Sequence, residues 1–187
     1  MGPRVPGTEP HDRLSRMLAK ELRAHTPEVI VQGFVVPFRG DTLACANVIG
    51  VFRAKTECRG VPRPAECRGV PRQEGTPAMN ATEYRGPGGV GPVLLGTHYD
   101  TRPRADRETD KARRETPIPG ANDGGSGTAV LLHMLRWLGS RELSRDVIVV
   151  FFDAEDLGGI DGKEYSIGAE FHAANPLPGL RPSEATT

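Results

Sequence analysis

The chain lacks most of the features that would assign it to a specialised class. Its 24 basic and 24 acidic residues cancel, which removes any general electrostatic pull toward nucleic acid or another polyanion. Lysine is scarce, with four residues against twenty arginines. Both carry the same charge and the fold needs no such ratio, so a GC-rich coding sequence accounts for it. The three cysteines, Cys45, Cys58 and Cys67, are an odd number, and two of them fall in a repeated loop. They make no disulfide framework and fix no redox compartment. No apolar run approaches the length of a membrane span, and the opening MGPRVPGTEPHDR has no apolar leader segment, so neither a span nor a signal peptide is expected in this chain. No side chain stands out as a covalent nucleophile.

What is present is a domain-sized chain. A length of 187 residues with 37% apolar content suffices for one core, and residues 1–187 read as a single domain, rich in loops because of 23 Gly and 17 Pro. Residues 11–24 carry Leu14, Met17, Leu18 and Leu22 on one helical face. Residues 29–38 and 46–52 are β-branched and aromatic runs that read as neighbouring strands. Between residues 54 and 90 the composition turns to Arg, Pro, Gly and Glu, and ECRGVPR occurs twice, at 57–63 and 66–72. Two polar copies are too few to stack into a solenoid, so this stretch reads as a low-complexity surface insertion. A Cys58/Cys67 metal site is the weaker alternative, since duplication already explains the spacing.

Beyond the insertion, residues 93–97 predict a short buried strand. Residues 102–116 predict a solvated loop, because acids and bases nearly balance there. A helix over 126–138 has Ser126 as its N-cap, Val130, Leu131, Met134, Leu135 and Leu138 as its apolar face and Gly139 at its end. Residues 146–152 predict the strongest strand, and 163–174 contain a short helix closed by Asn175-Pro176. Strands 93–97 and 146–152, separated by a helix-bearing crossover, predict a parallel pair. The fold class is therefore α/β: a three-layer α/β/α sandwich with a mixed, largely parallel sheet.

Three segments carry the chemistry: VLLGTHYD at 93–100, PIPGANDGGSG at 117–127 and VIVVFFDAED at 147–156. Two apolar runs end in acidic or His/Asp clusters, with a Gly-rich acidic turn between them. Open α/β sheets bind ligands outside the carboxyl ends of their strands, so these clusters are expected to converge there. His98, Asp123 and Asp156 offer imidazole and carboxylate donors suited to zinc, and Glu155 stands beside them as a general base. Residues two apart in an extended segment share a side, so Asp100 can accept the second ring N–H of His98. Adjacent carboxylates such as Glu155 and Asp156 repel unless a cation neutralises one of them. Taken singly, each has a bland reading: a structural histidine, a turn aspartate, a solvated acidic loop. Their combination selects the metal site. Asp153 reads as a support of its loop, and His133 and His172 as surface residues.

The order HYD, GANDGGSG, FFDAED resembles peptidase family M28, zinc exopeptidases that include aminopeptidases and the animal-type glutaminyl cyclases. The resemblance runs from about Glu28 to Pro178. THYDTRPRAD, PIPGANDGGSGTAVLL and the Glu155–Asp156 pair, where typical aminopeptidases have Glu-Glu, are most similar to bacterial relatives of glutaminyl cyclase. The resemblance implies a zinc exopeptidase fold acting on peptide or protein N-termini, with Asp123 and Asp156 as metal ligands and Glu155 catalytic. One zinc ion is implied if the protein is cyclase-like. Two are implied if it is aminopeptidase-like, with His98 then a ligand. The expected reaction is pyroglutamate formation with release of ammonia. Hydrolysis of the first peptide bond is the alternative, and a non-catalytic fragment or binding protein the third. The family is often exported. Its members continue past the position matching Pro178 to a strand ending in Asp and a later metal-binding His. Neither has a counterpart here, so the chain is expected to be incomplete at its C-terminus.

Overall fold

The structure, a computed structural model, describes residues 2–54 and 92–177. The duplicated ECRGVPR unit and Cys58 and Cys67 lie outside the described residues. In chain order the elements are α1 (Glu9–Arg23), β1 (Glu28–Phe38), β2 (Asp41–Phe52), β3 (Val93–His98), α2 (Gly125–Gly139), β4 (Val147–Phe152) and α3 (Ile167–Ala174).

The four strands form one sheet in the order β1-β2-β4-β3. β1 and β2 are antiparallel, as are β2 and β4, while β3 and β4 are parallel. The sheet is mixed, as expected, but among the described strands it is mainly antiparallel and not largely parallel, since two of its three pairings are antiparallel. Its parallel part is the β3/β4 pair joined by the α2 crossover, and the antiparallel part follows from the hairpin at the N-terminal side. That hairpin turns through Arg39 and Gly40, both with positive φ (52° and 84°), a two-residue geometry whose twist suits paired strands. The tight turn sets Phe38 opposite Asp41 and starts β2 five residues before the point where the hydrophobic pattern sets in.

Helices cover both faces. On one, Leu14, Leu18 and Leu22 of α1 and Leu131, Leu135 and Leu138 of α2 pack on Val48, Phe52, Val147, Val149 and Phe151. On the other lies α3, where Asn47 Nδ2 donates to the Gly168 carbonyl at 2.7 Å and Phe34 stacks on Phe171 at 5.0 Å between ring centres. The alternation of β2 and β4 side chains between these faces makes the three layers.

Three local expectations are corrected. Ser126 is not the N-cap of α2; Gly124 holds that position at φ 69°, and the Ser126 hydroxyl donates back to the Asn122 carbonyl. Val130 is exposed, because the stripe that meets the sheet is spaced as Leu131, Leu135 and Leu138. β3 is at an edge of the described sheet, paired only with β4, and Leu94 is half exposed. No described helix is long and apolar enough to cross a membrane.

Candidate active site

The parallel β3/β4 pair determines where the chemistry falls. His98 is in register with Phe152, so both strands end at one edge and their outgoing segments run side by side. Asp100, fully buried, joins them. Its carboxylate accepts hydrogen bonds from the backbone N–H groups of Glu155 (3.1 Å) and Asp156 (3.0 Å) and lies 3.3 Å from His98 Nδ1. The acidic loop after β4 is thus tied through Asp100 to the strand end that carries His98.

The turn before α2 brings the third segment in. Asp123, largely exposed, places Oδ1 3.0 Å from His98 Nε2, and Glu155 Oε2 lies 3.9 Å from His98 Nδ1. His98, Asp123, Glu155 and Asp156 line one cleft of about 610 Å³, whose far wall includes Arg107, Ile118 and Tyr165. His98 and Asp156, 58 residues apart in sequence, share this cleft.

Negative charge predominates in it, and the titration behaviour follows. Burial disfavours the His98 imidazolium, but the hydrogen bond to Asp100 and the charges of Asp100, Glu155 and Asp123 outweigh it and raise the pKa to about 9. Burial, reinforced by Asp100 and Asp123, pushes Asp156 up to about 6 against the opposing pull of Arg102. Burial likewise raises Glu155 above the usual carboxyl range, with the His98 charge acting against it. Crowded carboxylates that hold protons they would otherwise release are the condition in which a divalent cation gains most by entering.

The donor set fits zinc by chemical type, one imidazole and several carboxylates. In the structure those donors are engaged with protein groups: Asp123 with His98, and Asp156 with Arg102. Among the described residues no three His, Cys, Asp or Glu side chains are spaced as a metal-binding group.

Several residues here carry no sequence signal on their own. Arg102 was expected in a solvated loop. Instead it is largely buried, bonds the Asp106 carboxylate with two N–H groups (2.7 and 2.8 Å) and reaches the carbonyls of Asp156 and Gly158. Its Nη1 stands 3.3 Å from Asp156 Oδ1. Arg102 and Asp106 thus pair within the cleft wall, and their four-residue spacing was the available clue. Beneath the site, buried Asp153 accepts from His11 Nε2 (2.8 Å), Tyr99 Oη (2.8 Å) and the backbone of Ala46 and Ala154. His11 stacks on Tyr99 at 5.3 Å. The bond from Ala154 N holds that residue at φ 53°, a left-handed conformation costly for a side chain, and this bend turns Glu155 and Asp156 back toward Asp100. His133 is exposed on α2. His172 is half-buried, edge-on to Phe152, with Nδ1 3.2 Å from Gln32 Oε1. The surface expectation for it was wrong, because α3 lays this side of the helix on the sheet.

A mixed sheet covered by helices on both faces, with its polar cleft at the carboxyl ends of the parallel pair, is the fold of the zinc exopeptidases. The chain belongs to peptidase family M28, whose sequence model matches residues 82–181. It is similar to the solved glutaminyl cyclase of Tannerella forsythia, with 32% identity and a TM-score of 0.69, over 98% of this chain and 54% of that one. A Zn-dependent exopeptidase from Parabacteroides distasonis gives 29% identity and a TM-score of 0.69, over 95% of this chain and 52% of that one. Aminopeptidase YwaD of Bacillus subtilis is 36% identical over 73 residues, 39% of this chain and 13% of that protein. The chain spans about half the length of the solved structures it matches.

Proposed function

We propose that the protein is a zinc-dependent enzyme acting on peptide N-termini, with the glutaminyl cyclase reaction as its chemistry. The observation that carries this reading is Glu155: a partly exposed carboxyl on the cleft wall, its pKa raised by burial, next in sequence to a buried carboxylate suited to metal. Asp123 and Asp156 would hold zinc, which when bound would supply Lewis-acid polarisation of the substrate carbonyl. The anionic wall attracts the substrate's N-terminal ammonium, which gives one proton to solvent so that the neutral α-amine faces Glu155. Glu155 takes a proton from the α-amine as its nitrogen bonds to the γ-amide carbon, and delivers it to the departing amide nitrogen, so that the products are a lactam and ammonia. Asp100 fixes the backbone of both Glu155 and Asp156 during this transfer.

The second reading is a metallo-aminopeptidase, in which His98 joins the ligands of a two-ion site and Glu155 deprotonates the water that attacks the first peptide bond. The 3.0 Å approach of His98 to Asp123 favours it, as does the similarity to the Bacillus aminopeptidase. An assay of the full-length protein with a glutaminyl peptide and an aminoacyl anilide separates the two: cyclisation without hydrolysis is expected. Glu155→Gln should lower turnover by roughly 10²- to 10⁴-fold while zinc occupancy persists, whereas Asp156→Ala should lose the metal. Full activity in Glu155→Gln would remove Glu155 from the reaction.

A further inference from the structure

The Gly-rich turn that carries Asp123 is built around a buried guanidinium. Arg4 is 4% exposed. Its side chain donates to five backbone carbonyls: Tyr99 (2.9 Å), Gly120 (2.7 Å), Pro119 and Gly2 (3.2 Å each) and, at the long limit of 3.5 Å, Asp123. An arginine has five N–H donors in a fixed planar fork, and each carbonyl it meets helps offset its buried charge. The main chain of Arg4 is fastened to the same region: its N–H donates to Thr101 Oγ1 at 2.7 Å, and its carbonyl accepts from Thr101 N.

The glycines supply a second, independent observation. A methyl group on Gly120 would come within 2.7 Å of Arg4 Nη2, one on Gly124 within 3.3 Å, and one on Gly125 within 3.7 Å. Gly120 and Gly124 also have positive φ (64° and 69°); the Gly120 carbonyl accepts from Arg4, and that of Gly124 from Thr128 Oγ1. A Gly-rich loop ahead of a helix usually turns N–H groups inward and accepts an anion. This one points carbonyls at a cation that the chain itself provides from its N-terminal segment.

We infer that Arg4 is a positioning residue of the active site: its guanidinium is the internal template of the 119–124 turn and sets where the Asp123 carboxylate stands relative to His98. The inference rests on the reading of Asp123 as a metal ligand. Arg4 touches neither substrate nor metal and acts through the turn, as an outer-shell partner acts on a ligand.

The test measures zinc affinity of the full chain, by competition with a chromogenic chelator, alongside the melting temperature. Arg4→Ala is expected to weaken zinc binding roughly ten- to a hundredfold, and millimolar guanidinium ion should restore much of it by reoccupying the carbonyl nest. Arg4→Lys keeps the charge on a single point that cannot reach Tyr99, Pro119 and Gly120 together. It should melt near the wild-type temperature yet bind zinc more weakly, and it decides the case if Arg4→Ala does not fold. Asp123→Asn is measured in parallel. Wild-type zinc affinity in Asp123→Asn would overturn the ligand reading itself. Loss of zinc in Asp123→Asn, with wild-type affinity in Arg4→Lys or no rescue of a folded Arg4→Ala by guanidinium, would overturn the role of Arg4 alone.

Discussion

His98 shows most directly how the cleft's charge governs a single residue. Its folded pKa of about 9 lies above the ordinary 6.5, so the protonated imidazole is what the metal-free site stabilises. The sign follows from linkage: this contribution is fully present below pH 6.5 and is lost as pH rises through about 9. Asp156, raised from 3.8 to about 6, acts in the same direction at lower pH, since ionising it inside the cleft costs stability between those values. With chelator present, the melting temperature of the protein should fall between pH 6.5 and 9, and His98→Asn should flatten that fall. An unchanged slope in the variant would mean that His98 does not carry the proton. Zinc affinity should rise over the same range, because a ligand or its neighbour must shed a proton before the metal enters.

Among the elements, α1 docks on a strand position that has no side chain. Gly50 of β2 faces the helix, and a methyl group there would meet Leu22 Cδ2 at 2.5 Å and Leu22 Cγ and Thr26 Cγ2 at 3.4 Å. Leu22 is fully buried and has nowhere to swing. Gly50→Ala should therefore destabilise the fold by about 1–3 kcal/mol, the usual cost of overpacking, measured by urea unfolding. α1 also carries His11 to Asp153, so displacement of the helix reaches the bend before Glu155. The hydrophobic periods of α1, α2, β2 and β4 were legible because each element buries one stripe or both faces. Element ends were less so: the start of β2 was set by the Arg39–Gly40 hairpin turn, and the N-cap of α2 by a glycine with positive φ.

For the whole molecule, the sheet closes around Asp146, which receives both ends of the long connection between β2 and β3. Ala54 N donates to its Oδ1 at 2.8 Å and Val93 N to its carbonyl at 2.9 Å. Since the two ends meet at one residue, a short linker can join them. Excision of residues 57–90 with a Gly/Ser linker should change unfolding free energy by no more than about 1 kcal/mol, because closure entropy grows slowly with loop length. Cooperative unfolding on excision would show that the insertion contributes to the core.

The amino-acid sequence by itself determined the strands, the helices, the crossover and the three motifs, because each is written in a local period or in the few residues after a strand end. It also singled out the five candidate site residues, His98, Asp100, Asp123, Glu155 and Asp156, since donor types at consecutive strand ends are a one-dimensional pattern. Only the tertiary structure decided what holds them. Arg4 meets Tyr99 and Gly120 across 95 and 116 residues, His11 meets Asp153 across 142, and Arg102 meets Asp156 across 54. An arginine or histidine that is buried by a distant partner looks, in sequence, like one bathed in solvent. Its desolvation and its hydrogen-bond acceptors exist only once the chain has closed.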